Sequence, residues 1–319
     1  MTRTYVALPD AVLIVSDGGV ERRLEGTAPQ CLALDASDPQ RIFCGTWDHG
    51  LFRSDDGGTN WTSLGHEQVT AVAVDADGIV FAGTEPSALH RSDDAGATWT
   101  ECTAMREVPS APTWSFPPRP HTSHVRWITP DPDVRGRIFV CVEAGALLRS
   151  LDGGDTWEDR RPEGPLDTHT LVAAGGRLHA AAGDGFMLPG YGYSVSDDAA
   201  ETWRRPDDGL REHYLWGLAV DEYDPEAMLV SAAPGPMQAH AEDDGAESTI
   251  YRRSGGEAWT EVRDGLPPRA GTNAWVLAWH DGVFYAASNV GLFRSSDAGQ
   301  SWEPVVGFAG RANALVVGE

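Results

Sequence analysis

The chain has 319 residues with 48 acidic and 24 basic side chains, so its formal net charge is −24. All the basic residues are arginines, 41% of residues are hydrophobic, and no apolar run reaches the ~18 residues of a membrane-spanning helix. This composition supports a sizeable core and argues against nucleic acid and membrane as partners, because phosphate groups bind clustered positive charge. Four cysteines without a CxxC pair, and an N-terminus without a signal-peptide pattern, predict reduced thiols in a cytoplasmic protein.

The predicted elements are short strands from the first residues onward. The chain begins with three, TYVALPD, AVLIVSDGG and VERRLEG. The next unit contains four, CLALDASD, RIFCGTW, GLFRSDDGG and TNWTSLG, each bounded by Gly, Asp or Pro turn residues. Helical periodicity is absent, so we expect an all-β chain built from four-stranded antiparallel units.

An eight-residue motif recurs along the rest of the chain. It reads SDDGGTNW at 54–61, SDDAGATW at 92–99, SLDGGDTW at 150–157, SDDAAETW at 196–203 and SSDAGQSW at 295–302, with a shortened SGGEAW at 254–259. The terminal Trp residues are 38 to 58 positions apart, which suits four-stranded blades with insertions.

The two ends of the chain complete the count of blades. The strand NALVVGE at 313–319 can supply the innermost strand that residues 1–28 lack, and this pairing would close the ring without an open sheet edge. We therefore predict one seven-bladed β-propeller domain over 1–319, with blade seven shared between about 1–28 and 311–319.

The S-x-D-x-G-x-T-W motif resembles the Asp-box, or BNR, repeat, and the whole chain resembles the Asp-box β-propeller superfamily. This superfamily includes sialidases, xyloglucanase-type glycoside hydrolases, sortilin-type receptors and photosystem II assembly factors. The resemblance implies the fold and leaves the chemistry open. Because the Arg-Ile-Pro motif of sialidases is absent from this sequence, we do not expect sialidase activity.

The recurring Asp residues are expected to be structural. Each motif lies between the third and fourth strands of a blade, opposite the usual binding face of a propeller. An Asp side chain there can accept backbone N–H groups within the turn, and the Trp can pack between its own blade and the next. Ala200, where Gly is usual, predicts a relaxed turn in blade four.

Three long loops are expected together on the opposite face. They cover residues 101–123, 184–193 and 233–249, and they follow outer strands or connect second to third strands. Long loops in a compact domain are usually functional or disordered, and the aromatic and Met content here favours an ordered rim around a site.

Chemically useful side chains concentrate at the same strand ends. The candidate catalytic residues are Glu85, Glu143, His124, His169 and His213. The candidate substrate-binding residues are Trp47, Trp114, Arg126, Tyr214, Trp216, Trp275 and Arg311. The candidate ligands of one divalent Zn, Mn or Fe ion are His66, His121, His124, His169 and His213.

These residues support two hypotheses from different classes. The first is a hydrolase- or lyase-type enzyme acting on a small molecule or glycan, by acid/base chemistry with possible assistance from a metal. In one version Glu85 and Glu143, on adjacent blades, act as the paired carboxyl groups of a glycosidase. The alternative is a non-catalytic scaffold or assembly factor with a protein partner. A deep histidine-lined pocket would support the enzyme, and an exposed apolar patch would support the scaffold.

Overall fold

The computed structural model describes residues 2–241 and 245–319. The chain forms two compact units, unit 1 from residues 1–162 with 313–319 and unit 2 from residues 163–312. Short antiparallel strands make up nearly all the regular structure, as predicted.

The strands follow one another at short intervals. Those before residue 163 are β1 (Arg3–Ala7), β2 (Val12–Ser16), β3 (Gly19–Arg23), β4 (Pro29–Asp35), β5 (Asp38–Thr46), β6 (Leu51–Ser54), β7 (Thr62–Gly65), β8 (Val69–Val74), β9 (Val80–Thr84), β10 (Leu89–Ser92), β11 (Thr100–Glu101), β12 (Val125–Pro130), β13 (Ile138–Val142) and β14 (Ala146–Ser150). Those after it are β15 (Thr168–Ala174), β16 (Arg177–Ala182), β17 (Tyr193–Ser196), β18 (Tyr214–Val220), β19 (Met228–Ala233), β20 (Thr249–Arg253), β21 (Thr260–Val262), β22 (Val276–His280), β23 (Val283–Ser288), β24 (Gly291–Ser295), β25 (Glu303–Val306) and β26 (Ala314–Gly318). The helical segments are α1 (Pro236–His240) and three 3₁₀ turns, Thr103–Glu107, Ala111–Thr113 and Gly183–Phe186.

These strands form the seven sheets of a seven-bladed β-propeller, which confirms the predicted fold class. Blades one to six are β4–β7, β8–β11, β12–β14, β15–β17, β18–β21 and β22–β25. Blade seven has the order β26-β1-β2-β3, and Tyr5 of β1 lies opposite Val316 of β26. The C-terminal strand therefore completes the N-terminal blade, as the sequence indicated.

Blades three and four differ from the expected four strands. Each has three, and the fourth is reduced to an isolated bridge, Arg149 with Glu158 and Val195 with Arg204. In both blades a proline follows within a few residues of the bridge, at Pro162 and Pro206, and proline has no N–H to extend a ladder.

The middle strands carry most of the core. All five residues of β9, VFAGT, and of β13, IFVCV, are buried, because packing between blades covers both faces of a central strand. The outer strands β3 and β25 are mostly exposed. All four cysteines are free thiols, and burial raises the pKa of Cys31 to about 12.

The recurring Asp residues hold their turns together, as expected for a structural role. In the first motif Ser54 Oγ donates to Asp56 Oδ1 at 2.8 Å, and the backbone N–H of Asn60 donates to the same oxygen at 2.8 Å. Hydrogen bonds from Asn60 hold the pKa of Asp56 at about 2. Trp61 packs in a cluster with side chains of blades seven and one, so the ring contacts the blade that precedes its own, whereas we expected the next blade.

The turn of blade four is not relaxed. Ala200 adopts a φ of +72° and its N–H donates to Ser196 Oγ at 2.9 Å, as the glycine does in the other motifs. The side-chain oxygens thus impose the turn even where the residue lacks the conformational freedom of glycine.

Candidate functional site

Three of the predicted catalytic side chains meet in unit 1. Glu85 follows β9, His124 precedes β12 and Glu143 follows β13, so each lies at a strand end of blade two or three. His124 Nε2 lies 2.7 Å from Glu143 Oε2, and His124 Nδ1 lies 3.4 Å from Glu85 Oε2. All three residues are buried, at 7% to 9% exposure. Neighbouring blades thus place one imidazole between two carboxylates.

Arg119, which no sequence motif indicates, completes this cluster. Its Nε and Nη2 donate to the two carboxylate oxygens of Glu85 at 2.9 and 2.6 Å. The guanidinium carbon lies 5.1 Å from the ring centre of Trp47 and 4.7 Å from that of Phe116. We predicted that residues 101–123 form a functional loop. The sequence does not show that Arg119 of this loop pairs with Glu85, because a contact between residues 34 positions apart leaves no periodic pattern.

The geometry does not suit the predicted glycosidase pair. Two carboxyl groups that act on a glycosidic bond must face each other across the sugar. In unit 1 the imidazole of His124 occupies the space between Glu85 and Glu143, and Phe116 packs edge-on against it with ring centres 4.9 Å apart. Arg126 Nε lies 3.7 Å from Glu143 Oε2 and adds positive charge to the cluster.

The other predicted site residues of unit 1 have separate surroundings. His66 contacts His90 and Trp99, with ring centres 4.5 and 4.8 Å apart, and burial lowers its pKa. Trp114 donates its indole N–H to Ser110 Oγ at 3.0 Å and packs against the core of blades two and three. His121 is exposed. We predicted that Trp114 binds substrate, but its packing against the core is sufficient to explain its position.

Unit 2 contains an aromatic cluster around His169. The His169 ring is fully buried, its Nδ1 lies 2.6 Å from the carbonyl oxygen of Leu215, and its centre is 4.4 Å from that of Trp216. Tyr214 Oη lies 3.2 Å from Nε2 of His240, the last residue of α1. The predicted residues His169, Tyr214 and Trp216 therefore do come together, and they anchor the described part of the loop 233–249.

Three further predicted residues of unit 2 differ in exposure. Trp275 is 1% exposed in the hydrophobic core, where its ring packs on Phe293. Its assignment to substrate stacking is corrected, because a core side chain has no free face. His213 is half-buried and its Nδ1 accepts the N–H of Gly190 at 3.4 Å, whereas Arg311 is exposed.

Exposed apolar side chains lie on the loop 184–193 and at the start of α1, and we refer to them together as the apolar patch. It consists of Phe186, Met187, Leu188 and Met237, which are 51%, 76%, 54% and 77% exposed. The Phe186 ring packs against Gly235, and a Cβ built there would lie 2.8 Å from the ring. The loop is held by Asp184, which accepts the N–H groups of Leu166 and Asp167 at 2.9 and 3.0 Å. Large apolar side chains on an ordered loop are typical of interaction sites.

In the part of the chain that the structure describes, there is no helix with the length and apolar character needed to cross a membrane.

No family model and no curated protein matches the chain in sequence. Solved structures match it in fold. The GH74 enzyme of Niastella koreensis is 20% identical, with a TM-score of 0.70 over 94% of this chain and 52% of its own, so the chain spans about half of that enzyme. YCF48 bound to D1 peptide is 14% identical, with a TM-score of 0.63 over 99% and 96% of the two chains. A nidogen/laminin complex is 11% identical, with a TM-score of 0.54 over 100% and 99%. At these identities the matches show a shared propeller fold alone.

Proposed function

We propose that the protein binds a polypeptide segment through the apolar patch Phe186, Met187, Leu188 and Met237. The observation that carries this proposal is the exposure of four large apolar side chains on two anchored segments. Leaving them in water costs free energy that a partner recovers, since burying one Met side chain contributes about 1.5–3 kcal/mol. Met is also common at surfaces that accept varied peptides, because its thioether chain is flexible and polarizable.

The charge of the chain indicates the chemistry of the partner. With a formal net charge of −24, the protein attracts cationic segments and repels acidic ones. The patch itself supplies apolar contacts. We therefore expect a segment that alternates apolar residues with Lys or Arg.

The comparisons are compatible with this proposal. The structure of YCF48, matched over nearly its whole length, contains a bound D1 peptide, and the nidogen/laminin structure is a protein complex. Each of these two structures thus combines a chain of similar fold and length with another polypeptide.

Selection from a displayed library of random peptides tests the proposal. The selected peptides are synthesised, and their Kd is measured against the wild type and a Met187→Ser/Met237→Ser variant. We expect Kd to rise at least tenfold in the variant, which corresponds to about 1.4 kcal/mol. Leu151→Ser, which removes an apolar side chain that is 54% exposed and lies outside the patch, is the control. Equal binding to all three proteins, or no selected peptide, would refute the proposal.

A second candidate function is acid/base catalysis on a small molecule or glycan in unit 1, in which His124, and not a pair of facing carboxyl groups, exchanges the proton. It is favoured by the imidazole of His124, which lies buried between two carboxylates, and by the fold similarity to a GH74 enzyme. A panel of chromogenic glycosides and esters tests it, with Glu143→Gln as the comparison. Activity in the wild type that the variant lacks would support catalysis. Elemental analysis of protein purified without chelator tests the predicted Zn, Mn or Fe ion.

A further inference from the structure

Arg119 occupies a site that is chemically complete for a cation. The Glu85 carboxylate binds the guanidinium group in a bidentate fashion, and the Trp47 ring lies 5.1 Å from the guanidinium carbon. A carboxylate and an aromatic face are the groups that proteins combine to bind guanidinium and ammonium ions. Since Trp47 and Glu85 belong to the strand ends of blades one and two, this site exists independently of the loop that supplies Arg119.

The loop tip that supplies Arg119 is a self-contained structure. Phe116 N–H donates to Thr122 O, and Arg119 N–H donates to Phe116 O, at 2.9 and 2.8 Å. Between residues 115–121 and the other described residues, the side-chain hydrogen bonds, ion pairs and ring contacts all come from Phe116 and Arg119. The tip is thus attached through one ring and one cation, and the Arg119 side chain is 38% exposed to competing solutes.

Removal of Arg119 would leave an unsatisfied buried charge. Among the residues that the structure describes, Glu85 accepts side-chain hydrogen bonds from Arg119 alone, and its side chain is only 6% exposed. His124 Nδ1 is buried, has no hydrogen-bond partner among the described residues, and faces Glu85 Oε2 at 3.4 Å. A buried carboxylate without a partner is strongly destabilised, which favours uptake of another cation.

We propose that Arg119 is an internal ligand of a guanidinium-binding site formed by Glu85, Trp47 and His124. The site takes an external guanidinium group, from an arginine side chain of another polypeptide or from a small guanidino compound, when the loop tip moves away. A tethered side chain competes at an effective concentration in the millimolar range or higher, so the wild-type protein binds external guanidinium weakly. This proposal concerns a site in unit 1 and does not depend on the peptide-binding patch.

Calorimetric titration of the Arg119→Ala and Arg119→Gln variants tests the proposal. The probes are methylguanidinium, which represents a small molecule, and N-acetyl-arginine methylamide, which represents an arginine side chain. We expect at least one probe to bind the variants at least tenfold more tightly than it binds the wild type. The tighter-binding probe identifies the source of the ligand. Binding should be lost again in the Arg119→Ala/Glu85→Gln double variant.

The matched control is Arg106→Ala in the same loop. Arg106 pairs with the exposed Glu101 and makes no ring contact with any residue that the structure describes, so its removal should create no guanidinium site. Methylammonium controls for unspecific attraction of cations to an acidic protein. The proposal is overturned if both folded Arg119 variants bind both probes no better than the wild type does. It is equally overturned if neither variant folds, because the ion pair would then be a structural clamp.

Discussion

His179 makes the stability of this protein sensitive to pH in a way that the structure quantifies. The side chain is 1% exposed in β16, and its Nδ1 lies 2.8 Å from the Tyr193 hydroxyl. Burial, reinforced by the charge of Arg177, lowers the pKa of His179 to about 4. In the unfolded chain the pKa of histidine is about 6.5.

The difference between the pKa values of His179 in the folded and unfolded chains determines both the sign and the size of its effect on stability. Between pH 6.5 and pH 4 the unfolded chain binds a proton that the folded chain does not, so stability falls as the pH falls through this range. A separation of about 2.5 pKa units corresponds to about 3 kcal/mol, which is fully lost only below pH 4. Between pH 8 and pH 4.5 the expected loss from this residue is about 2.5 kcal/mol.

Urea denaturation of the wild type and His179→Gln at pH 8, 6 and 4.5 measures this contribution. Glutamine can still bond to the Tyr193 hydroxyl but does not titrate, so the variant should lose about 2.5 kcal/mol less than the wild type between pH 8 and 4.5. Subtracting the free energy of unfolding of the variant from that of the wild type at each pH cancels the contribution of the acidic surface, which both proteins share. His49→Gln, at an exposed position, serves as the control and should follow the wild-type profile. Parallel profiles for the wild type and His179→Gln would refute the argument.

Three further predictions concern the scaffold. Gly83→Ala should destabilise the protein by about 1–3 kcal/mol in urea melts, because its Cβ would lie 2.4 Å from Val125, whereas Gly307→Ala, with open space around it, should change little. Ala200→Gly should raise stability by about 0.5–1 kcal/mol, since glycine adopts a φ of +72° without strain; a lower Tm would contradict this. Hydrogen bonds from Thr202 hold the pKa of Asp198 at about 2, so its stabilising contribution is present above pH ~4 and lost as the pH falls towards 2. Asp198→Asn should therefore flatten the acid side of a Tm-against-pH profile, and an unchanged profile would count against it.

The fold could be predicted from the sequence because the eight-residue motif is repeated along the chain. Six motifs with similar spacing predict similar blades, and the C-terminal strand supplies the one missing partner. The outer strands of blades three and four were not foreseen as single bridges, because the hydrophobic pattern of an exposed outer strand is weak.

The candidate site was only partly predictable. Glu85, His124 and Glu143 lie at equivalent strand ends, so the topology alone brings them together. Arg119 reaches Glu85 from a loop whose path no periodicity encodes. Trp275 was misassigned because a strand start can point an aromatic side chain either to the channel or into the core, and the sequence shows no difference between the two.

The cost of burying Glu85 bears on why the Arg119 contact exists. Two charges taken from water recover little net stability, and apolar side chains of similar volume often stabilise a fold as well or better. A loop that merely had to be fastened could have used a further ring beside Phe116, just as Trp114, directly before the loop tip, packs on the core. The structure instead places a bidentate ion pair on an aromatic face, with the cation partly open to solvent. A buried ion pair is an inefficient way to fasten a loop, but it suits a contact in which another cation can replace Arg119. The titration of the Arg119 variants is therefore the decisive experiment on unit 1.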